Sequence, residues 1–228
     1  MISSISTIVT AHNEAESIGE TIAALQSVFP QCRLIVADDA STDTTASVAR
    51  ARGAQVISQP VRLGKGGATT TAASWLLGDG GLPEDSVVLL CDADLGSSAS
   101  QLSELVRTVQ RGDADLAVAN FTRKQGGGFG IAVGYARRAV RRRTGIELNA
   151  PICGQRAMRV DLLKQVLPFA DGFGIEVGMT LDALRAGFRI TEVNLDLDHA
   201  STGRNLRGFI HRARQLADFV RAVRTRRK

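Results

Sequence analysis

The sequence predicts an α/β protein with a single doubly wound, mostly parallel sheet flanked by helices. Apolar, strand-length runs alternate with helix-length segments from residue 5 to residue 120, the order in which βα units build a parallel sheet. The run at residues 87–90 is apolar at every position, as expected of a strand covered on both faces. At 228 residues the chain is long enough for one such domain.

The first half of the chain repeats this alternation regularly. The first helix, for example, is expected to carry Ile18, Ile22 and Leu25 on one face. Ser41 or Thr42 is expected to cap the second helix. We expect strands at residues 5–10, 34–37, 55–58, 87–91 and 116–120, and helices at 15–28, from about 42 to 52, from about 67 to 77 and at 101–110.

After residue 121 the pattern loosens. A glycine-rich stretch at 124–134 precedes an arginine-rich one at 137–143, and later segments predict a strand at 155–159, a helix at 176–186 and a strand at 190–197. Because no internal repeat and no long linker divides the chain, residues 1–205 are expected to form one domain. Residues 206–228 are expected to form a basic amphipathic C-terminal helix.

This C-terminal helix has two possible partners. Basic residues surround an apolar stripe at helical spacing, and Asp218 is the only acid. The stripe consists of Phe209, Ile210, Ala213, Leu216, Ala217, Val220 and Val223. The apolar stripe either packs on the domain or lies on an anionic membrane. The basic residues at 224–228 are expected to stay in water in both cases.

Composition limits the function classes. Hydrophobic and charged contents of 44% and 22% are those of a soluble globular protein. Aromatic content of only 4% argues against a nucleic-acid partner bound by base stacking. The three cysteines lack metal-ligand spacing, which favours small-hydrophobe roles in a reducing compartment. Since no run approaches about 20 apolar residues, we expect a cytoplasmic protein, with the inner face of the cell membrane as an alternative site.

Polar motifs follow four of the predicted strands, at residues 11–14, 38–43, 62–67 and 92–94. The carboxyl ends of parallel strands meet at one edge of the sheet, where open α/β folds bind ligands. Polar loops there can surround a nucleotide, because carboxylates accept hydrogen bonds from a base and glycines permit close backbone approach. Lys65 would supply positive charge.

Two carboxylates, Asp92 and Asp94, follow the buried fourth strand. They can converge only if the strand bends at Ala93, because neighbouring side chains on extended backbone alternate between faces. Hard oxygen ligands suit Mg²⁺ or Mn²⁺, which complete their coordination with substrate phosphates. A metal ion held there would stabilise a departing diphosphate.

The stretches TIVTAHNEAESI, IVADDASTDTT, RLGKGGA and VVLLCDADL resemble the family 2 glycosyltransferases of GT-A fold, a likeness that runs from residue 5 to about residue 204. The resemblance implies that Asp94 holds a metal bridging the donor diphosphate. Ala11 and His12 depart from the proline and aromatic residue more common in the family, so these positions do not identify the base of the donor nucleotide. A UDP-sugar is favoured over a GDP-sugar. The donor-binding residues that the resemblance implies are Ala11, Asn13, Glu14, Asp39, Lys65, Asp92, Ala93, Arg123 and Arg204.

The later stretch DGFGIEVGMTLDALRAGFRITEVNLDLDH resembles glucosyl-3-phosphoglycerate synthases and bacterial polyprenyl-phosphate glycosyltransferases. This likeness implies His199 as a second metal ligand beside Asp94. It places Glu176 beside the acceptor, as general base if configuration inverts or as an orienting group if it is retained. The acceptor is then anionic, either a polyprenyl phosphate or a small phosphorylated acid, and arginines such as Arg123, Arg156 and Arg204 would face its phosphate.

We therefore predict a metal-dependent hexosyltransferase in which Asp94, Lys65 and Glu176 carry the chemistry. A sugar nucleotidyltransferase is the first alternative, although the glycine-rich basic loop of such enzymes is replaced here by His12, Asn13 and Glu14. A non-catalytic nucleotide-sugar-binding or membrane-docking module is the second alternative. The sequence does not decide which sugar is transferred, which acceptor receives it, whether configuration is inverted or retained, or whether the protein forms a homodimer.

Overall fold

A computed structural model describes residues 4–122, 130–197 and 217–226. Seven strands form a single sheet in the order β3-β2-β1-β4-β6-β5-β7, and helices flank it. The strands are β1 (Ile5–Ala11), β2 (Arg33–Asp38), β3 (Gln55–Ser58), β4 (Val87–Asp92), β5 (Leu116–Phe121), β6 (Arg156–Arg159) and β7 (Ile190–Leu195).

Eight helices lie within the described residues. They are α1 (Ile18–Val28), α2 (Thr45–Ala51), α3 (Gly64–Gly78), α4 (Ser103–Gln110), α5 (Gly130–Thr144), α6 (Val160–Val166), α7 (Ile175–Arg185) and α8 (residues 217–225). Short 3₁₀ turns at Gly96–Leu102 and Gly172–Gly174 precede α4 and α7. In the described residues, no helix is both long and apolar enough to cross a bilayer.

The prediction of a mostly parallel sheet is confirmed. β1 pairs in parallel with β2 and β4, and β5 pairs in parallel with β7. β6 alone runs the other way, antiparallel to both β4 and β5. This reversal brings the beginning of β6, rather than its end, to the edge where β1, β2 and β4 finish.

The predicted cap of the second helix was wrong. Neither Ser41 nor Thr42 caps α2, which begins only at Thr45. The backbone N–H of Thr42 donates instead to Asn13 Oδ1 at 2.8 Å, and the N–H of Thr45 donates to Asp43 Oδ1 at 2.9 Å. The loop therefore bonds back to the end of β1 before the helix starts.

Two helices, α5 and α6, were not predicted. In α5 the buried residues Ala136 and Val140 stand four positions apart, but the run of arginines around them hides this spacing. The glycine-rich stretch predicted at 124–134 falls largely outside the described residues, since 123–129 are not described.

A second hydrophobic cluster joins α5, α7 and α8. Its buried members are Ala136, Val140, Leu148, Val177, Leu181, Phe219 and Val223. Residues 217–225 thus pack on the domain, whereas the predicted helical residues 206–216 lie outside the described ranges.

The expected face of the C-terminal helix was partly wrong. Phe219 and Ala222 are buried with Val223, while Ala217, which the stripe included, is exposed. Arg226 also does not stay in water: it forms an ion pair with Asp182, and its side chain is only 18% exposed. The reason is that α7 offers a carboxylate next to the apolar contact, which no helical pattern within residues 206–228 could reveal.

Candidate active site

The four polar motifs meet at one edge of the sheet, as predicted. Ala11 at the end of β1 lies opposite Asp38 of β2, and Thr10 lies opposite Asp92 of β4. Because β6 is antiparallel, Arg156 at its beginning lies opposite Leu90 of β4. The loop that precedes β6 is therefore added to the edge, beside Asp92.

Asp92 is the centre of a hydrogen-bond and ion-pair network. Its Oδ1 accepts a hydrogen bond from Thr10 Oγ1 at 2.9 Å and lies 2.6 Å from Lys65 Nζ. Its Oδ2 accepts from Gln155 Nε2 at 2.9 Å, while its backbone N–H donates to Gln155 Oε1 at 3.0 Å. Groups from three other segments therefore fix the orientation of the Asp92 carboxylate.

Lys65 links Asp92 to Glu176. Its ammonium lies 2.9 Å from Glu176 Oε1, and the exposed fractions of the two side chains are 20% and 7%. Burial alone would lower the pKa of Lys65, but the charges of Asp92 and Glu176 outweigh this effect and raise it well above its ordinary value. Lys65 is thus a permanent cation shared by two carboxylates.

Glycines make this network possible. A Cβ at Gly66 would collide with the backbone carbonyl of Ala170, so only glycine lets the start of α3 cross the segment that leads into α7. That crossing brings Lys65 to Glu176, in the first turn of α7. A Cβ at Gly154 would stand 2.5 Å from Lys65 Nζ and 2.8 Å from Asp92 Oδ2. In the described structure these glycines let parts of the chain itself approach closely, while their expected approach to a nucleotide stays a prediction.

Asp39, predicted at the donor base or ribose, is buried and orders the loop before α3. Its Oδ1 accepts hydrogen bonds from the N–H groups of Leu63 and Gly64 at 2.7 and 3.0 Å. Asn13, in the left-handed region with φ of 56°, receives the N–H of Thr42 on its side chain. These bonds join the motifs after β1, β2 and β3 into one wall.

Ala11 and Ala93 contact their neighbours through backbone carbonyl groups rather than through their side chains. Both are buried. The carbonyl of Ala11 accepts the N–H of Asp39 at 2.9 Å, and the carbonyl of Ala93 accepts from Thr21 Oγ1 at 2.8 Å. The chain turns at Ala93 and Asp94 directly after β4, which confirms the predicted bend.

The carboxylates around Asp94 fit a divalent cation. Burial is the main cause that raises the pKa of Glu14, and the negative charges of Asp94, Asp92 and Asp43 raise it further, against a hydrogen bond from Ser17. Among the described residues no group of three or more metal-ligating side chains forms. Mg²⁺ and Mn²⁺ nevertheless need only one or two protein carboxylates when substrate phosphates supply the other oxygens. The carboxylate oxygens at Asp94 are therefore suitable ligands for such an ion.

Three predicted site residues, Arg123, His199 and Arg204, lie outside the described residues. Arg156 was expected to face an acceptor, and this prediction was wrong. Its guanidinium is fully buried and donates to the carbonyls of Cys153 and Pro151 and to Thr180 Oγ1. It holds the loop before β6 against α7, because an unpaired buried guanidinium would be far too costly.

The site predictions did not include Thr10, Gly154 and Gln155. Gln155 was expected, with Arg156, on a strand that forms the floor of the acceptor site, but the direction of that strand cannot be read from the residues. A glycine and a buried amide directly before β6 were the available signals. They become meaningful only when β6 is seen to start beside Asp92.

Comparison with known proteins agrees with this geometry. Residues 6–167, more than half of the chain, match the model of glycosyl transferase family 2. The chain belongs to this family, and it is a glycosyltransferase. Membership decides against the nucleotidyltransferase and the non-catalytic module that the sequence had left open.

Two relatives illustrate the range of the family. Undecaprenyl-phosphate mannosyltransferase of Micrococcus luteus is 31% identical over 203 residues, covering 82% of this chain and 80% of that enzyme. Glucosyl-3-phosphoglycerate synthase of Mycolicibacterium paratuberculosis is 33% identical over 218 residues, covering 84% of this chain. The match spans 64% of the synthase, which is less than two thirds of its length.

Solved structures show the same fold. The Mycobacterium tuberculosis glucosyl-3-phosphoglycerate synthase with Mg²⁺ and uridine diphosphate aligns with a TM-score of 0.79 at 27% identity, over 99% of this chain and 79% of that one. The same enzyme with Mn²⁺, uridine diphosphate and glucosyl-3-phosphoglycerate aligns with a TM-score of 0.76 at 28% identity, over 99% and 80% of the two chains. The GT-A fold expected from the sequence is confirmed.

Proposed function

We propose that this glycosyltransferase moves a sugar from a UDP-sugar to an anionic acceptor, either a polyprenyl phosphate or a small phosphorylated acid, with the help of Mg²⁺ or Mn²⁺. The observation that carries the proposal is the ion-pair network of Lys65 with Asp92 and Glu176, beside Asp94 at the ligand-binding edge of the sheet. The relatives whose structures hold uridine diphosphate with these metals support the choice of donor and cofactor.

Asp94 would hold the metal ion, with His199 as the further ligand proposed from the resemblance. When bound, the ion supplies Lewis-acid stabilisation of the negative charge that gathers on the departing diphosphate. Asn13, Glu14 and Asp39 then belong to the wall beside the donor nucleotide. Arg123 and Arg204 are proposed as phosphate contacts.

Lys65 and Glu176 would prepare the other side of the reacting centre. Glu176 is buried in the first turn of α7, and its Oε1 pairs with Lys65, so the lysine fixes the direction in which the carboxylate presents its other oxygen. A carboxylate held in this way can orient an acceptor hydroxyl or accept its proton. In the same network the Lys65 ammonium supplies a buried positive charge close to where phosphate charge develops.

We propose a cytoplasmic enzyme associated peripherally with the inner face of the cell membrane, in which residues 1–205 and the helix within 206–228 form one body. The packing of Phe219 and Val223 on α7 and α5 supports the single body. A homodimer is compatible with this arrangement, and light scattering of the purified chain would test it.

Release of free nucleoside diphosphate tests the donor, the metal and Asp94 together. Wild-type protein is incubated with UDP-, GDP- and ADP-sugars in Mn²⁺, Mg²⁺ or EDTA. The variants are Asp94→Ala and, as a matched control, Asp113→Ala, which removes an exposed aspartate in the turn that follows α4. We expect slow, metal-dependent release of UDP that Asp94→Ala abolishes and Asp113→Ala retains.

Two results would contradict the proposal. Full metal-dependent turnover by Asp94→Ala would remove Asp94 from the metal site. No release from any donor, together with no thermal stabilisation by any UDP-sugar, would contradict the proposed donor.

A further inference from the structure

Three exposed arginines stand on the neighbouring helices α5 and α8. Arg138 and Arg142, one helical turn apart, are both exposed. On one side a groove of about 610 Å³ separates them from Arg224 of α8. On the other side a groove of about 640 Å³ extends to Leu148 and Asn149. We call Arg138, Arg142 and Arg224 the arginine ridge.

The arginine ridge differs from the neighbouring arginines because it has no charge partner among the described residues. Other arginines nearby have partners: Arg137 donates to the carbonyl of Asn149, and Arg141 pairs with Glu147 at 3.1 Å. Within residues 4–122, 130–197 and 217–226, by contrast, no acidic side chain or hydrogen-bond acceptor engages the three arginines of the ridge. Like charges that line one groove repel each other, so an anion placed there is stabilised.

Apolar side chains accompany these charges. The partly exposed Tyr135, Ala139 and Val220 line the groove between α5 and α8 together with the ridge, and the buried Val223 lies at its base. Just beyond α5, Ile146 is 43% exposed, one of three exposed large apolar side chains among the described residues. A surface that offers guanidinium groups for phosphates and apolar groups beside them has the character of a membrane-facing helix.

We propose that the arginine ridge docks this enzyme on the phosphate headgroups of an anionic lipid bilayer. The inference deepens the proposed function, because α5 and α8 both pack on α7, whose first turn carries Glu176. A bilayer bound at the ridge is therefore held at a fixed position relative to the acceptor side of the site. A lipid-linked phosphate acceptor would meet the enzyme at that surface.

The strength of docking follows from the charges. Each arginine near an anionic surface strengthens binding by a factor of about five, so removal of two should weaken it about 25-fold. The attraction is screened within about 10 Å at 0.1 M salt. Docking should therefore be strong at low salt and fall steeply as salt is raised.

Vesicle co-sedimentation of the full chain tests the proposal. Anionic vesicles of phosphatidylcholine with roughly 30% phosphatidylglycerol are compared with neutral vesicles of phosphatidylcholine alone. The ridge variant is Arg138→Gln with Arg142→Gln. The control is Arg50→Gln with Arg52→Gln, which removes two exposed charges at α2 and lowers the net charge equally. We expect the wild type and the control to bind only anionic vesicles, and the ridge variant to bind them about 25-fold more weakly.

Three outcomes would overturn the proposal. Equal binding by the ridge and control variants would place any membrane contact on basic residues elsewhere in the chain. Equal binding to neutral vesicles would show that the net negative charge of the bilayer does not cause the binding. Ridge-dependent thermal stabilisation by inorganic phosphate without vesicle binding would show a site for a free anion instead. Both variants should still release UDP when they are assayed without vesicles. A failure of membrane docking can then be distinguished from a failure of the proposed function.

Discussion

Gly154 occupies a position where the active-site ion pair leaves no room for a side chain. An alanine there would place its Cβ 2.5 Å from Lys65 Nζ and 2.8 Å from Asp92 Oδ2. Ordinary contacts between such atoms begin near 3.5 Å, so the ammonium must retreat by about 1 Å. It cannot do so freely, because Asp92 and Glu176 hold it from two directions at 2.6 and 2.9 Å.

The expected effect of Gly154→Ala is larger on activity than on stability. Overpacking of this kind costs about 1–3 kcal/mol, which for a chain of this size lowers Tm by roughly 2–12 °C. A displacement of about 1 Å at a reacting centre can lower turnover about 100-fold. Calorimetry and the UDP-release assay measure the two quantities on the same preparation, at a temperature where the variant is folded.

Gly78→Ala is the matched control for this substitution. Gly78 ends α3 and has no atom within 4 Å of the added Cβ, so alanine there should leave activity unchanged and be neutral or slightly stabilising. If Gly154→Ala keeps wild-type turnover and Tm, the tight placement of Lys65 against Asp92 is not required and the reasoning fails.

Further predictions concern charges and thiols. Lys65→Met leaves Asp92 and Glu176 without their shared cation and should destabilise the fold by about 3 kcal/mol in urea unfolding. An unchanged urea midpoint would show that these two ion pairs do not stabilise the fold. Burial alone would raise the pKa of Asp115, but hydrogen bonds and charge from Arg189 lower it, so the stabilisation is present above pH 3.8 and is lost as pH falls through the lowered pKa. Arg189→Gln should accordingly lower the free energy of unfolding at pH 6, by a difference that narrows below pH 3.8; a constant difference would contradict this linkage. Burial raises the pKa of Cys153 to about 12, so iodoacetamide at pH 8 should modify it only after unfolding, as intact mass would show.

The sequence by itself determined the sheet and the site's location. The apolar run of β4 and the polar residues that follow β1, β2, β3 and β4 are local patterns, and parallel strands necessarily deliver them to one edge. Asp94 and Lys65 could therefore be placed at that edge from the sequence, whereas Glu176 was named only from the resemblance to family 2 glycosyltransferases. The bend at Ala93 also followed from a local requirement, the convergence of side chains two residues apart.

Only the tertiary structure decided how these residues are used. The reversed direction of β6, which brings Gln155 to Asp92, depends on pairing between strands more than 60 residues apart in sequence. The burial of Arg156 and Arg226, both expected to face solvent or ligand, depends on acceptors that other segments supply. A sequence pattern reports the periodicity of one segment, whereas the partner of a buried charge is fixed by the packing of several. For that reason the chain's own residues could indicate the chemistry, while the ion-pair network that organises it emerged only from the fold.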